Sequence, residues 1–272
     1  MSLAIKIRAQ RQQQVEEKKA LAPWEGSPPA DMEHLQQPPP SVTRIIHEVL
    51  DQNRENRQFF RPSGFGGCPR SQVFQYLQVP PTNPPQLENN LQMILGTGTH
   101  LHEMLQGYLA LHPGIFYAPE VPIWIPELDI KGSCDGILTN RTPNEAGSLY
   151  RWGVEFKTIG SKGFETLTKP KPEHVIQASI YARLAGVYWI SIVYFCKDNA
   201  AMKEYPVHYD PETWEGIVAK VRELQGHVRR GTLPVYTPKV CQNAINFCQH
   251  VAHCHQIEGK EIPRWWAGFK QT

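Results

Sequence analysis

Apolar and polar residues recur along this chain with two different periods, and the switches between them mark out the elements. Leu91, Leu95, Leu101, Leu105 and Leu109 supply the apolar positions of a helix expected over 91–111. Three runs of alternating or β-branched character follow, at 115–125, 129–139 and 149–157. Each is bounded by Pro, Gly or Asn and reads as a strand. A helix is expected over 173–186, then strands over 188–196 and 202–209. The first of these two strands is almost continuously apolar, as an interior strand of a sheet is. Asp210 precedes Pro211 as an N-cap for a helix over 211–230. Upstream, Ser41 can cap a helix over 42–53. The run GFGGC at 64–68 is a tight loop, and Pro69 can open the helix PRSQVFQYL after it. Prolines 80, 81, 84 and 85 break the chain before the next helix. Helix, three strands, helix, two strands and helix predict an α/β fold with a mixed central sheet flanked by helices.

Composition changes this picture mainly at the N-terminus. Residues 1–20 are polar and of mixed charge, and 21–40 are Pro-rich, ending in PPP. Such a stretch cannot bury a core, so 1–40 is expected to be a flexible arm open to a protein partner, and 41–272 the folded domain. No run of about 18 apolar residues occurs, which predicts no membrane-spanning helix. Met1–Ala20 lacks the apolar segment of a secretory signal, so a cytoplasmic site of action is expected. The net charge of +2 neither demands nor excludes a nucleic-acid partner. No G-x-x-x-x-G-K-[ST] run is present, so the sequence shows no ATP motor.

The candidate chemistry begins at GSCDGIL, 132–138. Asp135 stands in a strand among small residues, where a carboxylate is costly without a partner such as a metal ion. In GVEFKTIG, 153–160, Glu155 and Lys157 are two apart and share one face of a strand, while Val154 and Phe156 take the other. Asp135 and Glu155 are oxygen donors of the kind Mg²⁺ or Mn²⁺ prefers, and the carbonyl of Phe156 could join them. Lys157 could orient or deprotonate a water, or neutralise developing negative charge. Each element alone is common in structural roles. The helix motif GTGTHLHEML adds His100 and His102, either of which could give a nitrogen ligand. Gln177 and Tyr181, four apart on one helical face, could contact a phosphate or fix a carboxylate.

Taken in order, G-T-x-x-H-E, G-x-x-D-G, V-E-F-K-T and Q-x-x-x-Y resemble the RecB-type branch of the PD-(D/E)xK nuclease superfamily, across about residues 60–260. That branch includes the CRISPR-associated RecB-like exonucleases and many phage exonucleases. The resemblance implies a restriction-endonuclease-like core and a Mg²⁺- or Mn²⁺-dependent deoxyribonuclease. His102, Asp135, Glu155 and the Phe156 carbonyl would be its metal ligands. Asp135, Glu155, Lys157, Gln177 and Tyr181 would be its catalytic set. It further implies an exonuclease acting on single-stranded DNA or DNA ends, in recombination, repair or phage DNA metabolism. A structure-selective endonuclease for phage DNA processing, and a non-catalytic DNA-binding or assembly protein on the same fold, are the alternatives.

Six cysteines in a chain of this length do not read as a secreted disulfide scaffold. Cys241, Cys248 and Cys254 cluster near the C-terminus and Cys68 lies far upstream. Four thiolates suit an iron–sulfur cluster or zinc. The arrangement resembles that of the iron–sulfur members of the branch, which implies a [4Fe–4S] cluster in a helical lobe over about 235–272 that closes on Cys68. The spacing departs from the branch's C-x2-C-x5-C: Cys248 and Cys254 keep the last interval, but Ile245 stands where a further cysteine is expected. Zinc with His250, His253 or His255 as a substitute ligand, or free buried thiols, are the other readings. Cys134 and Cys196 lie in expected strands and read as core. Arg61, Arg70, Lys162, Lys169 and Lys171 are candidate phosphate contacts, as is RWWAGFK with Arg264, Trp265, Trp266 and Lys270.

Overall fold

The computed structural model describes residues 41–51, 58–82, 85–143, 148–244 and 248–259. The expected arm over 1–40 and the RWWAGFK segment lie outside them, as does Ile245. The chain divides into two compact units, one of residues 1–55 with 85–96 and one of 56–84 with 97–272.

The first unit carries α1 (Val42–Asp51). Ser41 caps it as the sequence suggests, accepting the Arg44 N–H at its hydroxyl (3.4 Å) and the Ile45 N–H at its carbonyl (3.1 Å). This unit also holds the first part of a long helix that runs from Pro85 to Ala110. That helix begins six residues before the expected Leu91. Proline is tolerated in a first turn, so Pro85 opens the helix instead of delimiting a break.

The second unit holds α2 (Pro69–Tyr76), the rest of the long helix, here α3, and a sheet of five strands. The strands are β1 (Ile115–Ile125), β2 (Ile130–Asn140), β3 (Arg151–Ile159), β4 (Trp189–Cys196) and β5 (Met202–His208). They lie side by side in sequence order. All pairs are antiparallel except β3–β4, which is parallel from Gly153↔Ile190 to Ile159↔Cys196. A parallel pair needs a crossover. It is made by the short helix α4 (Ser161–Glu165), which the apolar pattern does not announce, and by α5 (Pro172–Ala185). β4 is an interior strand, as its apolar run predicts. β5 is an edge strand and alternates exposed with half-buried residues, with Lys203, Glu204 and Pro206 among them.

Helices cover both faces of the sheet. On one, α5 and α6 (Pro211–Arg230) bury Ala178, Ile180, Ile217, Val221 and Leu224 with Ile190, Ile192 and Cys196. Asp210 caps α6 through the N–H groups of Glu212 and Thr213. On the other, Leu101, Leu105 and Leu109 of α3 pack with Tyr117, Leu138, Val154, Phe156 and Phe195. Cys134 and Cys196 are fully buried in this framework. Two short helices, α7 (Pro238–Ala244) and α8 (Val251–Ile257), follow α6 and carry the C-terminal cysteines. This is the expected α/β fold, with a mixed sheet flanked by helices and a helical cysteine-bearing segment.

Candidate active site

The sheet is interrupted where the acidic residues lie. The β2–β3 ladder runs from Thr139↔Arg151 to Gly136↔Val154, and the next residues in register are Asp135 and Glu155. There a side chain replaces the ladder: the Phe156 N–H donates to Asp135 Oδ2 at 2.6 Å. The β1–β2 ladder is interrupted at the same residue. Pairs are formed at Pro119↔Gly136 and Val121↔Cys134, and between them Glu120 faces Asp135 with a left-handed φ of 50°. For a non-glycine residue such a backbone costs roughly 1–3 kcal/mol. The Asp135 carbonyl instead accepts from the Tyr117 hydroxyl (2.7 Å) and from Gln106 Nε2 (3.2 Å). Asp135 is thereby fixed from both sides by hydrogen bonds, as a buried polar group must be.

The two faces of β3 take the roles that alternation predicts. Val154 and Phe156 go to the α3 core, and Glu155 and Lys157 meet α5. Gln177 of α5 joins the pair. Its Nε2 donates to Glu155 Oε1 (2.7 Å) and to Tyr181 Oη (2.9 Å), and its Oε1 accepts from Lys157 Nζ (2.8 Å). Lys157 Nζ also donates to Glu155 Oε1 at 2.8 Å. From α3, His102 brings Nδ1 to 3.3 Å from Asp135 Oδ2, with its ring 5.9 Å from that of Phe156. His100 is exposed and lies 3.4 Å from Glu103 instead. The fold thus gathers His102, Asp135, Glu155, Lys157, Gln177 and Tyr181, and leaves His100 out.

The electrostatics follow from burial. Glu155 is pushed up to about 7, because desolvation and the Asp135 charge outweigh the pull of Lys157. Burial works against a charged His102, yet the hydrogen bond and charge of Asp135, with Glu155, hold its imidazole above the ordinary range. Burial also raises the Tyr181 phenol far above its ordinary value. Glu155 Oε2 is buried and has no hydrogen-bond partner among the described residues. Such an orphan is uncommon in a folded protein and marks a place for a further partner. Among the described residues, no three His, Cys, Asp or Glu side chains stand arranged as a finished metal cage. In this conformation Asp135 Oδ2 is taken up by Phe156 N–H and His102, and Glu155 Oε1 by Lys157 and Gln177.

Three contributors escaped the sequence reading: Gln106, Tyr117 and Glu120. Glu120 accepts from Gln106 Nε2 at 2.8 Å and from the Ser133 hydroxyl at 2.7 Å. Gln106 lies four residues after His102, so helical spacing alone could have placed it on the same face. Glu120 could be found only through the strand register.

The four cysteines of interest come from separate segments. Cys68 precedes α2, Cys241 is in α7, Cys248 lies between α7 and α8, and Cys254 is in α8. All four line one cavity with Tyr236, Val251 and His255, and none is in a disulfide. His255 Nε2 is 3.9 Å from Cys241 Sγ. Arg70 is a correction to the sequence reading. It is buried, not a surface cation: its Nε donates to the Pro234 carbonyl (2.6 Å), and its Nη1 reaches Glu258 (2.6 Å) and Cys254 Sγ (3.6 Å). Arg61, Lys162, Lys169 and Lys171 are exposed.

No family model matches the chain, and no curated protein does. Among solved structures, one described as SSO0001 aligns over 78% of this chain and 92% of its own, with 19% identity and a TM-score of 0.48. The alkaline exonuclease LHK-Exo from Laribacter hongkongensis aligns over 69% of this chain and 93% of its own, at 14% identity and TM-score 0.46. Its complex with dAMP aligns over 64% and 89%, at 15% identity and TM-score 0.47. No helix among the described residues is long and apolar enough to cross a membrane.

Proposed function

We propose that this chain is a metal-dependent nuclease of the PD-(D/E)xK type, hydrolysing DNA phosphodiester bonds at the site of Asp135, Glu155 and Lys157. One observation carries the reading: among the described residues Glu155 Oε2 is a buried carboxylate oxygen without a hydrogen-bond partner, in a group that interacts with Asp135 and His102. A donor set of two carboxylates, an imidazole and the Phe156 carbonyl fits Mg²⁺ or Mn²⁺. Bound there, the ion would supply Lewis-acid stabilisation of phosphoryl charge and a more acidic water.

The chain's own residues have separate tasks. Asp135, held by the Phe156 N–H, and His102, held by Asp135, present fixed donors from β2 and α3. Gln177 and Lys157 fix Glu155 from the α5 side. Lys157 brings its amine to the site, where negative charge develops on the phosphoryl group. Tyr181 holds the Gln177 amide in the orientation that lets it bridge Lys157 and Glu155.

The reading extends to exonucleolytic action on single strands or DNA ends in a reducing, cytoplasmic setting, with the folded domain over 41–272 and the N-terminal arm open to a partner. It is tested with a linear and a closed circular single strand in Mg²⁺ or Mn²⁺. Cleavage of the linear strand alone supports an exonuclease. Cleavage of the circle makes the enzyme an endonuclease, and cleavage of neither refutes the nuclease.

The cysteine cavity is proposed to hold a [4Fe–4S] cluster through Cys68, Cys241, Cys248 and Cys254. Zinc draws its ligands to about 2.3 Å from a single point, whereas a cubane spreads four thiolates around its own volume. Four thiols lining one shared cavity are the donor set such a cubane needs. Metal analysis decides: about four irons with visible absorbance support the cluster, and one zinc without colour refutes it.

A further inference from the structure

We infer that His174 is a substrate-binding residue of the same site, presenting a neutral imidazole whose Nε2–H donates to a phosphoryl oxygen of the nucleic-acid strand. The inference rests on the nuclease reading given above. His174 lies in the first turn of α5, three residues before Gln177 and seven before Tyr181, and so on the same helical face as both. Beneath it is Tyr194 of β4, which is in register with Lys157 of β3. Parallel neighbours in register project their side chains from the same face of the sheet. His174, Tyr194, Lys157 and Gln177 are therefore one contiguous group.

The hydrogen bonds assign the proton on the ring. Tyr194 is fully buried, and its Oη accepts from the Lys171 N–H at 2.9 Å. Its own O–H needs an acceptor, and among the described residues His174 Nδ1, at 2.7 Å, is the one within reach. Nδ1 is then the acceptor and Nε2 carries the proton. Among the described residues Nε2–H has no partner, while Nδ1 is held in place by the buried phenol. The group is a donor whose ring is oriented by the buried phenol and lies within the field of Lys157.

Its surroundings fix what it would bind. Burial first, and then the charges of Lys157 on β3 and Lys171 at the cap of α5, push the imidazole down to about 3 and keep it neutral. Glu173 is the neighbouring acid on its own helix. A neutral donor among cations suits an anion with spare lone pairs, which a phosphodiester supplies. No proton is transferred: His174 adds a hydrogen bond to the strand.

The test uses the full-length protein and a 5′-fluorescent single-stranded oligonucleotide, followed by anisotropy in EDTA and then by cleavage in Mn²⁺. H174A is expected to weaken binding about tenfold and to raise KM with kcat little changed. H174Q, whose side-chain N–H lies near the place of Nε2–H, is expected to recover most of that loss. Nitrogen-15 NMR of the wild-type ring should show the Nε2–H tautomer throughout neutral pH. Wild-type affinity and KM in H174A overturn the inference and leave the nuclease reading intact. Equal losses in H174A, H174Q and Y194F, tracking their thermal stability, also overturn it, since they make the residue a structural support of Tyr194. A wild-type protein that neither binds nor cuts the oligonucleotide overturns both.

Discussion

The carboxylate site and the cysteine cavity both gather metal-ligating side chains, but by opposite means. At the carboxylate site the candidate ligands sit on β2 and β3 and on a helix packed against the sheet. Most of the polar atoms that define it are hydrogen-bonded, and among the described residues Glu155 Oε2 is buried without a partner. At the cavity the thiols sit within two seven-residue helices and in the segments beside them, and the space between them is lined in part by Val235, Val240, Val251 and Phe74. A polar network in a sheet can be preorganised without its metal, because strands and hydrogen bonds position each member. A set of thiols on short helices would depend on a metal it held, because metal binding and folding are coupled in sites of that kind. On the proposed function, the first region carries the chemistry and the second holds the C-terminal segment in place.

The sharpest way to break this comparison is to remove one ligand from each region. Asp135→Asn keeps an acceptor for the Phe156 N–H but removes the charge. It is expected to lower the cleavage rate by at least about 10³-fold with an unchanged thermal transition. A variant that cuts at the wild-type rate removes Asp135 from the chemistry. Cys254→Ser should do the reverse, losing visible absorbance and thermal stability while the carboxylate network stays intact. Equal stability and colour in that variant would make the cysteines ordinary core residues.

Arg70 tests cohesion without touching a thiolate. It is buried between α2 and the C-terminal segment and pairs with Glu258. Arg70→Ala is expected to cost about 3–5 kcal/mol in denaturant unfolding, because it strands Glu258 and the Pro234 carbonyl. A loss under about 1 kcal/mol would show that the segment is held by other contacts.

The pH dependence of stability sharpens the other side. The Glu155 carboxyl is raised from 4.5 to about 7 in the fold, first by burial. Between those values the native state holds a proton that the unfolded chain has released. The contribution of Glu155 to stability is therefore full below about pH 4.5 and is lost as pH rises to about 7. Glu155→Gln should abolish that fall, and so be more stable than wild type at pH 7.5 in EDTA while inactive in Mn²⁺. Parallel stability curves for the two proteins would show that the carboxylate is ionised at no cost. The smallest effect is expected at the edge of the network. Tyr117→Phe removes the hydroxyl bond to the Asp135 carbonyl and should cost about 1 kcal/mol, since Gln106 still satisfies that oxygen.

Much of this molecule is legible in the sequence. Of the apolar positions Leu91, Leu95, Leu101, Leu105 and Leu109, the last three form the α3 face that packs on the sheet while Leu95 is exposed, and the alternation about Glu155 and Lys157 predicts which residues go to the core and which to the site. Those are local properties, because side-chain direction follows from helix or strand geometry. The α3 start at Pro85, the short α4 and the burial of Arg70 were not legible. Each depends on what packs against it, and the same proline or arginine serves opposite roles in other surroundings.

The sequence by itself therefore determined the α/β order of elements, the two faces of β3 and the donor types available. The tertiary structure alone chose His102 over His100, because only one of two histidines on α3 reaches Asp135 across the sheet. It alone set Glu120 opposite Asp135 and Tyr194 beside Lys157, since strand register joins residues by pairing and not by spacing. And it alone brought Cys68 to the cavity of Cys241, Cys248 and Cys254, a closure over more than half the chain that no local pattern encodes.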